Sequence, residues 1–101
     1  MMDPNHLAAK EIVNLIADHF GVPVGDVLGP RRNPPLPLAR AIAAAIMYDL
    51  LRGMTTTSIA HYFNGRTHNF TLRSVEICKN TETYARLRQR ALNMPAVERL
   101  R

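Results

Sequence analysis

At 101 residues and 47% hydrophobic content, the chain is long enough for one core and too short for two, and that core needs neither disulfides nor a metal. A formal net charge of +5 favours a polyanionic partner, nucleic acid being the commonest, although many small domains carry such charge for solubility alone. One cysteine excludes an intrachain disulfide, no apolar run approaches the roughly 18 to 20 residues of a membrane span, and no secretory signal pattern opens the chain, so an intracellular protein is expected.

In chain order, Asp3-Pro4-Asn5 reads as the approach to a first helix reaching about Phe20, with Asp3 or Asn5 as its cap. Ala8, Ile12, Leu15, Ile16 and His19 recur on one side of a 3.6-residue wheel, with Phe20 at the edge, while Lys10, Asn14 and Asp18 face away. That face is expected to be core. His19 sits within the stripe as a hydrogen-bonded or edge-of-core residue, because no cysteine or second histidine at metal spacing accompanies it. Gly21 ends the helix, and a short helical turn over Gly25 to Leu28 brings Val24, Val27 and Leu28 towards the core.

The next stretch, residues 29–37, carries four prolines and the pair Arg31-Arg32. Prolines stiffen it and forbid a regular helix. A rigid loop bearing two guanidinium groups suits phosphate contact or minor-groove entry, since the fork matches phosphate oxygens; a solvated linker with incidental arginines is the equal alternative. From Leu38 to Arg52 the pattern is apolar on nearly all sides except Arg40, Asp49 and Arg52, as in the buried centre of a small bundle. Its alanines let neighbouring helices approach closely, and Ile42, Ile46, Met47, Leu50 and Leu51 fill the remaining volume. Gly53 closes it.

Two short amphipathic patterns follow, Thr56 to Phe63 and Thr67 to Lys79, meeting across Asn64-Gly65-Arg66. This is a helix-turn-helix signature, in which Gly65 supplies the positive φ of a tight turn. Thr55 or Thr56 can cap the first helix and Thr67 the second. Ile59, Ala60 and Phe63 form the inner face of the first, and Thr71, Leu72, Val75 and Cys78 that of the second, with Cys78 a buried structural thiol. Asn69, Arg73 and Glu76 lie opposite, flanked by Phe70 and Ile77. His68, Asn69 and Phe70 occupy the first turn, where a recognition helix presents side chains to bases. Phe70 is either a core residue or a contact for a thymine methyl; Arg66 and Arg73 can reach phosphate or guanine, and Asn69 can pair with adenine. Thr81 caps a further helix over about Glu82 to Leu92, with Tyr84, Leu87 and Ala91 on one face, and Asn93-Met94-Pro95 breaks it. Arg86, Arg88 and Arg90 lie elsewhere on that helix, and Ala96 to Arg101 is expected to be a frayed basic tail. The elements add up to an all-α fold, a small helical bundle forming one domain over residues 1–101, its helix-turn-helix at about 55–79 and its basic loop at 29–37.

The order of features resembles the C-terminal DNA-binding domain of the bacterial replication initiator DnaA. The parallel runs through an amphipathic helix, Val24-x-Asp26-Val27-Leu28, a loop opening with Arg31-Arg32, an alanine-rich helix entered through Ala39-Arg40, then Ile59-x-x-x-Phe63-x-Gly65-Arg66-x-His68. That family reads close to SLPEIGxxFGGRDHTTV where this chain has TTTSIAHYFNGRTHNFT. The resemblance covers about residues 7–79 and implies a Trp-repressor-like helix-turn-helix that binds short origin repeats in double-stranded DNA. It implies that Arg31 or Arg32 enters the minor groove or touches backbone, that Arg66 holds a phosphate, and that His68 contacts bases. The chain departs from the pattern at Thr67, Asn69 and Phe70, so the same repeat is not implied as the target. The expected DNA-contacting set is Arg31, Arg32, Arg40, Thr56, Arg66, Thr67, His68, Asn69, Phe70 and Arg73, with Arg40 and Arg73 adding to phosphate attraction.

No cofactor, metal or membrane contact is expected, and no nucleotide, because G-x-x-x-x-G-K-[ST] does not occur in the chain. The expected setting is the cytoplasm and nucleoid of a bacterium, or a phage genome, in replication or transcription control with a possible partner protein there. An interaction module that kept the fold but lost DNA readout is the alternative. Catalysis is not expected, since the histidines, His6, His19, His61 and His68, form no recognisable set and no nucleophile motif occurs.

Overall fold

The computed structural model describes residues 4–64 and 66–100, and among these the regular structure is helical throughout. Helix α1 (Pro4–Phe20) begins with a proline, tolerated in a first turn, and buries Ala8, Ala9, Ile12, Val13, Leu15, Ile16 and Ala17. It ends in a Schellman closure: Gly21, at φ +67°, donates to the Asp18 carbonyl at 3.2 Å, and the Val22 amide donates to the Ala17 carbonyl at 3.0 Å. A glycine is needed there because a Cβ resists that φ. His19, expected to be hydrogen-bonded or at the edge of the core, is exposed. By angle it belongs to the stripe, but it lies in the final turn, exposed, with its ring edge-to-face on Phe20 at 4.9 Å.

Helix α2 (Val24–Leu28) inserts Val27, which is fully buried. The loop then runs to helix α3 (Leu36–Leu50), which starts two residues earlier than expected because Pro37 falls in its first turn, where no amide is required. Helix α3 is the centre of the bundle and packs against α1, α2 and three helices that follow it in the chain. Ala39, Ile42, Ala43, Ala44, Ile46 and Met47 have no exposed surface, the alanines allowing backbones to approach and the larger side chains filling the gaps.

Helix α4 (Thr56–Tyr62) opens with a reciprocal capping box: the Ser58 amide donates to Thr55 Oγ1 at 3.1 Å and the Thr55 amide to Ser58 Oγ at 2.8 Å. Helix α5 (His68–Cys78) follows the turn, then α6 (Glu82–Leu92) and α7 (Pro95–Glu98). The expected role of Gly65 lies outside the described residues; the neighbouring Asn64 is itself left-handed at φ 64°, a conformation asparagine tolerates better than most. Thr67 stands at the cap position of α5 in extended conformation, yet its hydroxyl makes no capping bond. Its carbonyl instead accepts from the Phe70 amide at 2.9 Å.

The inner face of α5 departs from expectation in one respect. Thr71, Ser74 and Cys78 are buried, and Leu72 is 46% exposed. Small residues are required where α5 lies against α3 and α4, and hydroxyls are tolerated because each has a partner: Thr71 donates to the Thr56 carbonyl at 2.9 Å and Ser74 to the Phe70 carbonyl at 2.8 Å. Cys78 is buried as expected, and burial pushes its thiol up to about 11. The thiolate is the reactive form, so at pH 8 Cys78 is expected to resist iodoacetamide in the native state and to react fully in urea. Rapid native labelling, read by mass spectrometry, would show that the α5 terminus is open.

The C-terminal stretch is docked, contrary to the frayed tail expected. Val97 is fully buried, α7 packs on α1 and α6, and the Ala96 amide donates to Glu11 Oε1 at 3.1 Å. On the other side α6 is tied to α3 through Asp49, which receives hydrogen bonds from Tyr84 and Arg88.

Candidate nucleic-acid interface

The exposed side of α5 carries His68, Asn69, Leu72, Arg73 and Glu76. Positions 69, 72, 73 and 76 recur every three or four residues, so these side chains share one face of the helix. Leu72 is the member of this face that the hydrophobic pattern placed inside. Its signal was present in the spacing, because Thr71 and Cys78 alone define an inward line on which residue 74 falls and residue 72 does not.

Behind that face an aromatic support holds the first turn in place. Phe63 is fully buried, and its ring centroid lies 5.4 Å from that of Phe70, which is half-buried. The guanidinium carbon of Arg66 stands 5.2 Å from the Phe70 centroid, within cation–π range. Phe70 packs partly buried against the core while still bordering the surface. Arg66 Nε is buried and has no hydrogen-bond partner among the described residues. A shallow cleft between the start of α3 and α5 is bordered by Pro37, Ala41, Arg66, Phe70, Arg73 and Ile77.

Arg31 and Arg32 are exposed on the loop. Thr56 is half-buried at the start of α4, and its carbonyl is already engaged by Thr71. Thr67 is exposed beside His68. Arg40 corrects the expected set: it is 3% exposed, and its guanidinium donates to the carbonyls of Val27 at 2.8 Å, Asp26 at 2.9 Å and Arg31 at 2.9 Å. A side chain so occupied is not free to hold a phosphate. Burial first, then the charges of Arg66 and Arg32, push its guanidinium below the ordinary arginine range, which places three cations within electrostatic reach of one another.

The ion pairs among the described residues join Glu76 to Lys79 at the end of α5, Glu82 to Arg86 on α6 and Asp49 to Arg88 between α3 and α6. None neutralises Arg31, Arg32, Arg66 or Arg73. No group of three or more His, Cys, Asp or Glu among the described residues could hold a metal ion. No helix is long and apolar enough to cross a membrane, again among the described residues.

A sequence model described as the bacterial dnaA protein helix-turn-helix matches residues 9–78. This chain belongs to the DnaA helix-turn-helix family. The family is one of DNA-binding helix-turn-helix domains, a type that is not itself catalytic. The chain is 35% identical over 92 residues to the chromosomal replication initiator protein DnaA of Oenococcus oeni, covering 87% of this chain and 20% of that protein. It is 32% identical over 66 residues to the DnaA of Treponema pallidum strain Nichols, covering 65% and 14% respectively. The DnaA of Bdellovibrio bacteriovorus is 30% identical over 76 residues, covering 75% of this chain and 16% of the relative. The chain thus spans a fifth or less of the curated relatives it matches. No solved structure matches it. The matched span takes in most of α1 and all of α2 to α5, so the DnaA-type unit contains both the arginine loop and the helix-turn-helix.

Proposed function

We propose that this DnaA-type domain binds double-stranded DNA sequence-specifically, with α5 in the major groove and the 29–35 loop on the backbone or in the minor groove. The observation that carries the reading is the pairing of an exposed polar face on α5 with arginines that no carboxylate among the described residues neutralises. Arg31, Arg32, Arg66 and Arg73 supply phosphate attraction and orientation, while His68, Asn69 and Leu72 face base edges. Thr67 and Thr56 border the first turns of the two helices, within reach of backbone. Leu72 is suited to a thymine methyl, taking the part that Phe70 gives up by packing inward. The resulting occupancy of sites would act in replication or transcription control in the cytoplasm or nucleoid of a bacterium or its phage, alone or with a partner protein.

Selection of binding sites from random duplex DNA at about 150 mM salt tests this, because nonspecific electrostatic binding is already weakened there. An enriched motif is expected, and Asn69→Ala should relax one base position by about 1–3 kcal/mol of discrimination. Leu72→Ala should shift preference at a neighbouring position with little change in melting temperature. Ordinary folding with no enrichment would instead support a module that kept the fold and binds DNA only nonspecifically.

A further inference from the structure

Among the described residues Arg40 is the buried charged side chain, and the helix-turn-helix arrangement leaves it unused. It sits within an otherwise apolar stretch of α3 and is 3% exposed, a placement that is unfavourable for a guanidinium unless its donors are met. They are met by backbone carbonyls from two separate places. Val27 and Asp26, at 2.8 and 2.9 Å, belong to the last turn of α2, whose carbonyls lack intrahelical partners. Arg31, at 2.9 Å, belongs to the loop. A planar fork donates from nitrogens set apart on a rigid plane and so spans these divergent acceptors, which the single nitrogen of an ammonium on a flexible stem matches less well.

The position of the root matters. Helix α3 packs directly against α5, so whatever Arg40 holds is held at a fixed offset from the helix-turn-helix. The loop it holds contains Arg31 and Arg32, and by itself a segment with the sequence Gly29-Pro30-Arg31-Arg32-Asn33 has few backbone bonds to define its path. We propose that Arg40 is a positioning residue that locks the arginine loop in register with α5, so that both engage one duplex without the loop first having to order. The inference rests on the DNA-binding reading above. Two contacting elements joined rigidly bind as one unit, and the second contact then follows the first with little further loss of freedom.

The test is a cycle of variants in the full chain, read as affinity for a selected duplex together with limited trypsin cleavage after Arg31 and Arg32. Arg32→Ala alone is expected to weaken binding about fivefold to tenfold through one lost phosphate contact. Arg40→Lys keeps the charge and loses the fork; it should weaken binding by a similar factor and speed cleavage in the loop. In the Arg40→Lys background, the effect of Arg32→Ala should shrink to less than twofold, whereas the effect of Asn69→Ala should be unchanged. A merely structural role for Arg40 would reduce both effects alike or neither. Independent, multiplicative losses for Arg40→Lys and Arg32→Ala would overturn the proposal while leaving DNA binding intact. Should Arg40→Lys fail to fold, the wild type still decides. Loop bonds cut as fast as those of an unfolded peptide would refute a locked loop, and strong protection would support one. A wild type that folds but binds no duplex would overturn the DNA-binding reading and the register role with it.

Discussion

Replacing Phe63 with alanine is expected to lower the free energy of unfolding by about 3–5 kcal/mol, the usual cost of deleting a buried phenyl ring and leaving a cavity. Phe63 has no exposed surface and closes α4, its ring lying 6.0 Å from Tyr62 and 5.4 Å from Phe70. Domains of this size are stable by only about 5–15 kcal/mol, so the variant would spend much of that margin and melt more than about 12 °C lower. Urea unfolding followed by circular dichroism measures it. The effect should extend to DNA, because Phe63 supports Phe70 and Phe70 carries Arg66. Phe70→Leu, which keeps apolar volume on a half-buried site, should be much milder in stability. A Phe63→Ala cost below about 1 kcal/mol would mean that the turn between α4 and α5 is not held by this ring stack.

That support was partly legible from residues alone. Periodicity and punctuation were enough to bound α6 between Thr81 and Asn93-Met94-Pro95, although the Thr81 hydroxyl makes no capping bond and donates to the Ile77 carbonyl instead, and enough for Ile59, Ala60 and Phe63 as the inward face of α4. Hydrophobicity misassigned α5, because burial there follows size and hydrogen bonding: Ser74 goes in against the alanine-rich α3, and Leu72 stays out. Arg40 was read as a surface cation since its acceptors, the carbonyls of residues 26, 27 and 31, lie 9 to 14 positions away and carry no side-chain signature. The docking of α7 escaped for a similar reason. Val97 and the Ala96 amide meet α1 across 85 positions in the Glu11 contact, and only the folded chain brings them together. His19, read as hydrogen-bonded or edge-of-core, is correct in angle but lies in a final turn, exposed, with its ring against Phe20.

The arginines that pair with no carboxylate among the described residues lead to the second large effect. Each phosphate neutralised by a basic side chain releases condensed counterions, so the slope of log affinity against log salt counts the contacts. Arg32→Ala and Arg66→Ala together are expected to shallow that slope by about two units and to weaken binding on the order of a hundredfold at 150 mM salt. The loss should be much the same for specific and random duplexes, because phosphate contacts carry no sequence information. Stability should move little. Removing Arg66 forfeits its contact with Phe70, but it also removes one of the charges acting on buried Arg40, and the two effects oppose each other. Arg86→Ala is the matched control, since Arg86 is already paired with Glu82 on α6 and should leave the slope unchanged within about half a unit. Equal slopes for the double variant and for Arg86→Ala would mean that overall charge, rather than the loop and the turn, attracts DNA. A selective change would place the phosphate contacts on the side of the bundle that Arg40 braces.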